Sequence, residues 1–196
     1  MSDKQKLRVI GITGGIASGK TAATTALRSA GYNIIDADEI SRSVTAAGTP
    51  VERELMRMFP SCTENGRLDR RKLRALISSD RNAMEALNDY THPLITAEIE
   101  NMLSAAPKPV VLSAPLLFET ALSALCDVTV CAVCPKAKRT ARLTSRDNID
   151  EHDAAAIIDA QIPDCIRAAV ADYVVSSDCD ETTFKRRVLE LFEKLM

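Results

Sequence analysis

One segment near the start of the chain has the residues that a phosphate-binding site requires. The run Gly14-Gly15-Ile16-Ala17-Ser18-Gly19-Lys20-Thr21 fits G-x-x-x-x-G-K-[ST] at every position. Glycines let successive backbone N–H groups turn toward phosphate oxygens, and the following helix directs its positive end at them. In this pattern the lysine reaches the β- and γ-phosphates, while the hydroxyl of Thr21 ligates Mg²⁺. The segment, continued by Ala22, is therefore predicted to be a nucleotide-binding site.

Two carboxylates, Asp36 and Asp38, follow the second apolar run of the chain. Alternation in an extended segment would place both side chains on one side, at the end of the strand that lies beside the phosphate loop in a parallel sheet. We expect one carboxylate to act near Mg²⁺ and the other to accept the hydroxyl proton of an acceptor. The alternative is a pair of solvated turn residues.

Three arginines, Arg139, Arg142 and Arg146, recur three and four residues apart within one helical pattern. This spacing places them on a single helix face. Such a face would close over a triphosphate and stabilise the charge of phosphoryl transfer. A solvated helix face is the alternative interpretation.

The remaining reactive residues favour structural roles. Cys131 and Cys134 lie in an apolar run without the second ligand pair that zinc requires, so buried thiols are expected. His92 precedes Pro93, and its role as a core, capping or ligand histidine stays open. The basic run at 67–74 suits either an anionic substrate or a solvated helix start.

Composition narrows the class of protein. The 196 residues include 25 Lys and Arg against 27 Asp and Glu, so the chain lacks the basic excess of a general nucleic-acid binder. No apolar run approaches the length that crosses a bilayer, and the N-terminal run is too short for a signal peptide. Six scattered cysteines suit free thiols in a reducing cytoplasm. We expect a cytoplasmic protein that acts on a small molecule as a monomer or small homo-oligomer, without membrane or nucleic-acid partners.

The elements that must position these residues alternate between strand and helix patterns. Strands are predicted at 7–12, 32–36, 110–112, 128–133 and 173–175, and helices at 20–30, 136–146, 151–160 and 182–195. This order predicts an α/β fold in which helices flank a parallel five-stranded sheet.

The stretch from 42 to 106 contains no convincing strand and is predicted to be a helical insertion. Helices are expected at 50–59, 70–78 and 83–103, with Thr49-Pro50 and Asp69 as starting signals and with Pro93 bending or breaking the last helix. The predicted core then comprises 1–41 and 107–196, and the insertion comprises 42–106.

These residues favour a kinase over other phosphate-loop proteins. The guanine-reading N/T-K-x-D and the D-x-x-G of GTPases are missing from the sequence, and the run at 110–113 ends in serine where motor and transport ATPases usually carry an acid. The acid pair beside the phosphate loop argues against a regulatory module that only hydrolyses nucleotide. A nucleoside or nucleotide stays possible as the acceptor.

An ordered set of motifs along nearly the whole chain resembles the dephospho-CoA kinase family. The set comprises the loop at 11–21, Ile-Asp-Ala-Asp at 35–38, Gly-Arg-Leu-Asp-Arg at 66–70 with Leu73, His-Pro-Leu-Ile at 92–95, Pro-Leu-Leu-Phe-Glu at 115–119, Arg-Asp at 146–147, Gln-Ile-Pro at 161–163 and Ala-Asp-Tyr-Val at 171–174.

The resemblance implies a P-loop kinase fold with a helical CoA-substrate insertion and a lid at about 139–170. It implies transfer of the γ-phosphoryl group of ATP to the ribose 3′-hydroxyl of dephospho-CoA, with ATP and Mg²⁺ as cofactors. By position, the implied catalytic residues are Asp38, Lys20 and Arg146. Nucleotide contacts extend from the loop to Arg142, and Thr21 and Asp36 are the implied metal ligands. The implied substrate contacts are Asp36, Asp38, Arg70, His92, Pro115, Leu117, Glu119 and Arg139.

Three positions differ from the family pattern. Thr21 replaces the usual serine and keeps its hydroxyl, and Arg167 replaces a common lysine with a different reach and hydrogen-bond geometry. Ser176-Ser177 replaces a frequent Asp-Asn after the last strand, near the expected position of adenine.

Overall fold

The computed structural model describes residues 9–107 and 109–195. Its strands are β1 (Val9–Thr13), β2 (Asn33–Asp36), β3 (Thr63–Glu64), β4 (Arg67–Leu68), β5 (Val110–Ser113), β6 (Val128–Val133) and β7 (Tyr173–Ser176). Its helices are α1 (Lys20–Ser29), α2 (Ala37–Val44), α3 (Pro50–Met58), α4 (Arg70–Ser79), α5 (Arg81–Ala105), α6 (Lys136–Asp147), α7 (Glu151–Asp159), α8 (Asp164–Val170) and α9 (Glu181–Leu195). The strand predicted at 7–12 therefore lies partly outside the described residues.

Five strands form a parallel sheet in the order β2-β5-β1-β6-β7, which confirms the predicted sheet and its flanking helices. The register pairs Ile12 of β1 with Ser113 of β5, and Asp36 of β2 with the same serine. Because all strands point one way, their carboxyl ends meet at one edge. The sheet thus places the loop after β1 next to the ends of β2 and β5.

A hydrophobic core packs against the elements on both sides of the loop between β1 and α1. Every residue of β1 and β5 is buried, and Ile10 and Ile12 share a hydrophobic cluster with Leu27 of α1 and Phe192 of α9. Continuous apolar strands of this kind are typical of a parallel sheet that is covered on both faces. The ends of β1 and α1 are therefore held firmly on both sides of the phosphate loop.

The chain divides into two compact units. One comprises the described residues up to Asp36 and those from Leu103 onward, and the other is Ala37–Met102. The second unit is helical and has a core of its own around Leu55, Phe59 and Leu73. Its helices begin at the predicted signals, because the Thr49 hydroxyl accepts from Glu52 N–H and Asp69 caps the N-terminus of α4.

The expectation of a second unit without strands is wrong, and the break that was one of two expected outcomes at Pro93 does not occur. The unit contains a small hairpin, β3 and β4, which turns at Asn65 and Gly66, both in the left-handed region. Asn-Gly is the preferred pair for such a two-residue turn, so the sequence carried the signal. Helix α5 also continues through Pro93 without a break, since one lost backbone hydrogen bond is a small part of a 25-residue helix.

A third difference concerns the predicted acid pair. The chain becomes helical directly after β2, so that Asp36 ends the strand whereas Asp38 lies exposed in the first turn of α2. The alternation argument therefore does not hold for these two residues. An acid in the first helical turn is favoured by the helix dipole, which is consistent with this position.

Stability should depend on pH through Asp172, which joins β6 to the start of β7. Its carboxylate accepts hydrogen bonds of 2.7 Å from both the side-chain hydroxyl and the backbone N–H of Thr129, and these bonds hold its pKa below the usual range. Because the native pKa is depressed, the carboxylate stabilises the fold above its unfolded pKa of about 4 and loses this contribution as the pH falls through the native pKa.

We therefore expect Asp172→Asn to lower the free energy of unfolding by a constant amount near neutral pH, and by progressively less in acid. Urea titrations of both proteins across a pH series measure this difference. A deficit that persists unchanged in strong acid would contradict the assignment, because protonated Asp and Asn should then behave alike.

Candidate active site

The phosphate loop occupies residues 14–19 between β1 and α1. Gly19 has φ +107°, a conformation that side-chain-bearing residues rarely adopt, and it leads directly into α1. Gly15 has a different requirement, since a Cβ atom there would lie 2.5 Å from Arg139 Nη2 and 2.9 Å from Asp164 Oδ1. Gly19 is thus required for its backbone conformation, whereas Gly15 is required because a charged pair of side chains packs closely against it.

The carbonyl oxygens of Ile16, Ala17 and Ser18 each accept a hydrogen bond from a side chain outside the loop. The donors are Arg139 Nε at 2.8 Å, Arg142 Nη1 at 3.1 Å and Ser177 Oγ at 2.7 Å, respectively. These three contacts direct the loop carbonyls into the surrounding protein, which is the orientation that suits a phosphate-binding loop.

A lysine, a serine and a carboxylate form a second contact at the carboxyl edge of the sheet. Lys20 Nζ donates to Ser113 Oγ at 2.9 Å, and Ser113 Oγ donates to Asp36 Oδ2 at 3.0 Å. Lys20 Nζ also lies 3.9 Å from that carboxylate oxygen. The structure therefore brings Asp36 to the phosphate-loop lysine, as the sequence predicted. It adds Ser113, which the sequence showed only as a strand end without an acid.

The three predicted arginines share helix α6 but have different surroundings. Arg139 is only 4% exposed, and Arg142 donates both to the loop and to the hydroxyl and carbonyl oxygens of Ser177. Arg146 is exposed and forms a two-bond ion pair with Asp147, which raises the pKa of the guanidinium and lowers that of the carboxyl. Arg139 has little surface to offer a substrate, contrary to expectation, whereas Arg146 is accessible.

Ser177, one of the two serines that depart from the family pattern, contacts the phosphate loop. It is 1% exposed, its hydroxyl donates to the Ser18 carbonyl, and it accepts from Arg142. The serine that departs from the family pattern thus fastens the phosphate loop to the end of β7. Only the folded structure shows this, because 159 residues separate the two bonded serines.

The segment after β5 is held by an ion pair between Glu119 and a buried arginine. Glu119 accepts from Arg167 Nη2 at 2.6 Å, and Arg167, which is 1% exposed, also donates to the Ile162 carbonyl at 2.6 Å. Two directed bonds from one planar group explain what arginine provides here that lysine would not. Of the predicted substrate contacts in this segment, Pro115 is half-buried, whereas Leu117 is fully buried in the core beneath and has no surface for a ligand.

The helical unit contains a cavity of about 340 Å³. It is lined by Arg70, Arg74 and His92 together with apolar side chains such as Leu73, Leu87 and Ile95. The structure thereby brings together Arg70 and His92, two residues far apart in sequence that were both predicted to contact substrate. Arg70 also donates to the carbonyl and hydroxyl oxygens of Thr45, which fixes the direction of its side chain.

A buried acid that the sequence analysis missed supports one wall of this cavity. Glu52 is nearly buried and accepts from Gly48 N–H at 2.6 Å and from Leu68 N–H at 3.4 Å. These bonds, chiefly the one from Gly48, lower the pKa of its carboxyl. A Glu in the first turn of a helix gives no sequence signal for such a distant contact.

The other reactive groups behave structurally. Cys131 and Cys134 are buried free thiols, as expected, and burial raises the pKa of Cys131 to about 11.

Within the described residues, one group of three acids and histidines is close enough together to hold a metal ion. It comprises Asp150, His152 and Asp153, which are all exposed at the start of α7. In the same part of the chain, none of the helices has the length and hydropathy needed to span a bilayer.

Comparison with known proteins yields consistent matches. The family model described as dephospho-CoA kinase matches residues 8–182. A dephospho-CoA kinase of Idiomarina loihiensis is 36% identical, with 96% of this chain and 95% of the relative covered. That of Carboxydothermus hydrogenoformans is 32% identical, with coverage of 96% and 94%.

Solved structures agree with this fold. The structure titled TT1252 from Thermus thermophilus has a TM-score of 0.85 at 30% identity and covers 96% of this chain and 98% of its own. A dephospho-CoA kinase from Campylobacter jejuni has a TM-score of 0.65 at 21% identity, with coverage of 96% and 97%. A shikimate kinase from Acinetobacter baumannii, at 0.57 and 17%, shares the fold alone, with coverage of 97% and 95%.

The parallel sheet with its phosphate loop has the P-loop kinase fold that these solved structures share. Among proteins with this fold, the match over most of the chain shows the family. The chain belongs to the dephospho-CoA kinase family, whose activity is the ATP-dependent phosphorylation of dephospho-CoA, the final step of coenzyme A biosynthesis.

The packing at Gly15 makes a direct prediction. In Gly15→Ala the new methyl group would overlap the Arg139 guanidinium and the Asp164 carboxylate, both held in place by ion pairs. We expect ATP affinity to fall at least tenfold, because the loop must shift away from its phosphate-binding geometry. Isothermal titration with ATP measures this.

Gly31→Ala is the matched control. It also places a methyl group at a glycine, but with no atom within 4 Å, and at a left-handed position outside the loop. Its cost should appear in thermal stability and not in ATP affinity. Equal losses of ATP affinity in both variants would contradict the steric explanation.

Proposed function

We propose that this chain transfers the γ-phosphoryl group of ATP to the ribose 3′-hydroxyl of dephospho-CoA and that Asp38 accepts the hydroxyl proton. The observation that carries the phosphoryl-transfer part is the contact of Lys20 with Ser113 and Asp36 at the edge of the sheet, immediately beside the phosphate loop. A carboxylate and an ammonium group within 4 Å of each other, at the end of a loop built for phosphate, suit phosphoryl transfer.

The chemistry of the donors also fits Mg²⁺. Thr21 supplies an exposed hydroxyl in the first turn of α1, and Asp36 supplies a carboxylate at the end of β2. Hydroxyl, carboxylate and phosphate oxygens are the hard ligands that this ion prefers. When bound, Mg²⁺ supplies charge neutralisation on the β- and γ-phosphates.

The proposed step conserves atoms and charge. The 3′-oxygen of the acceptor forms a bond to the γ-phosphorus, and the bond from that phosphorus to the β–γ bridging oxygen breaks, so that ADP leaves. The proton of the acceptor hydroxyl passes to the Asp38 carboxylate. Lys20 and the exposed Arg146 neutralise charge on the transferring group.

The cavity of the helical unit suits an acceptor that is both anionic and partly apolar. Arg70 and Arg74 supply positive charge, His92 supplies a further polar group, and leucine and isoleucine side chains supply apolar walls. Dephospho-CoA combines a diphosphate with an extended pantetheine arm, and both features match this lining. The volume falls within the usual range for small-molecule sites.

Purified protein incubated with MgATP and dephospho-CoA, followed by mass spectrometry of the acceptor, tests the reaction. We expect the acceptor to gain one phosphate, and Lys20→Ala to abolish the gain because it loses a contact to ground state and transition state alike. Phosphorylation of a nucleoside in competition, with none of dephospho-CoA, would contradict the proposed acceptor.

Asp38→Asn tests the proposed base. The amide keeps the size of the side chain but cannot accept the proton, so turnover should fall by about a hundredfold or more while ATP affinity stays close to that of the wild type. Steady-state kinetics and ATP titration measure the two quantities. Unchanged turnover would remove Asp38 from the mechanism.

The acceptor cavity has its own test. Arg70→Ala and Arg74→Ala each remove a charge from the lining, and we expect each to raise KM for dephospho-CoA by about tenfold with KM for ATP unchanged. Arg71→Ala is the matched control, since it removes the same charge from the same helix outside the cavity lining. Equal effects of all three substitutions would contradict a cavity-specific role.

A further inference from the structure

We propose that Arg139 and Gln161 are positioning residues that clamp the backbone at Ile16, so that Arg139 acts through the phosphate loop and not on the nucleotide. This inference deepens the proposed function and rests on ATP binding at that loop. It reassigns an arginine that sequence spacing places among residues closing over the triphosphate.

The donors of Arg139 are directed into the protein. Nε donates to the Ile16 carbonyl at 2.8 Å, Nη2 donates to Gln161 Oε1 at 2.9 Å, and Nη1 lies 2.9 Å from Asp164 Oδ1. The residue is 4% exposed. Each of the three guanidinium nitrogens therefore has a partner within the protein.

Gln161 holds the other side of the same residue. Its Oε1 accepts from Ile16 N–H at 2.8 Å and from Arg139 Nη2. Two donors at one oxygen fix the orientation of the side-chain amide. The N–H and the carbonyl of Ile16 are thus both bonded to one interlinked pair of side chains, which leaves the backbone at this residue little freedom to rotate.

The clamp is anchored to a buried chain of charges. Asp164 lies between Arg139 and Arg167, whose Nη1 is 3.6 Å from the carboxylate, and Arg167 in turn binds Glu119. Charges buried to this degree are tolerated only when their partners are held in place. The guanidinium of Arg139 is therefore part of the rigid interior.

The absence of a side chain at Gly15 completes the arrangement. Only a glycine allows Arg139 Nη2 and Asp164 Oδ1 to approach the loop as closely as they do. A phosphate site depends on the direction of several N–H groups at once, and displacements of about 1 Å are costly in such sites. A clamp at Ile16 restricts the direction of the loop N–H groups without contacting the ligand.

The two possible roles of Arg139 predict different results when Gln161 is also changed. If Arg139 bound the triphosphate directly, its effect on ATP affinity would be independent of Gln161, so the two losses would multiply in the double variant, and lysine would partly replace arginine through its charge. If Arg139 positions the loop, loss of either side chain releases Ile16, and lysine fails because it cannot make three directed contacts.

The experiment measures the dissociation constant of ATP without acceptor, by isothermal titration, together with kcat and both KM values. We expect Arg139→Lys and Gln161→Ala each to weaken ATP binding by about tenfold, and the double variant to be scarcely weaker than either, since both release the same clamp. KM for ATP should rise in parallel, and KM for dephospho-CoA should stay unchanged.

Two further variants control for damage to the fold. Gln161→Glu keeps an oxygen acceptor for both Ile16 N–H and Arg139, so it should retain ATP affinity where Gln161→Ala loses it. Lys136→Ala removes a charge from the same helix, at an exposed ion pair with Asp159, and should leave ATP affinity unchanged. Circular dichroism of each variant reports the fold.

The proposal is overturned if Gln161→Ala binds ATP as well as the wild type while Arg139→Lys does not, or if the two effects multiply in the double variant. These outcomes are independent of the acceptor, because ATP binding is measured alone. A protein that shows the expected pattern of ATP affinities but fails to phosphorylate dephospho-CoA would retain the clamp and contradict only the proposed acceptor.

Discussion

A phosphate loop binds its anion only when several backbone N–H groups converge, and this convergence commits the neighbouring carbonyl oxygens to the opposite direction, into the protein. Buried carbonyls need donors, and here α6 and the end of β7 provide them at Ile16, Ala17 and Ser18. Two separate elements of the surrounding structure therefore supply hydrogen-bond donors to the loop carbonyls. The helix with the predicted lid arginines is fastened to the loop through two of them, and the loop after the last strand contributes a buried serine.

The parallel sheet supplies the other half of the site. Since β1, β2 and β5 end at one edge, Lys20 meets Ser113 and Asp36, which no local sequence relation connects. The strands behind them are entirely buried, so the positions of these ends are determined by the core. The Lys20, Ser113 and Asp36 contact is thus placed by buried elements of the sheet, while the helical unit has a separate hydrophobic core.

Most of the fold was predictable because its signals are periodic and local. The strands at β5, β6 and β7 and the helices α1, α6, α7 and α9 lie within a few residues of the expected ranges. The predicted secondary structure differs from the observed one where two local sequence signals favour different structures. Asn65-Gly66 indicated a hairpin that lay among helical patterns, Pro93 did not interrupt a long helix, and α2 began inside the segment that alternation suggested was extended.

The phosphate loop, the order of the elements and the family resemblance could be predicted from the sequence, because each depends on residue types at fixed short spacings. The surroundings of those residues became visible only in the folded chain. Arg139 and Arg146 lie on one helix with the same chemistry, yet one is buried against the loop and the other is exposed beside Asp147. Ser113, Ser177, Gln161 and Glu52 acquire their roles from partners distant in sequence. How deeply a side chain is buried, and which partner it points toward, depend on how the chain packs. The spacing of residues along the sequence does not specify either property.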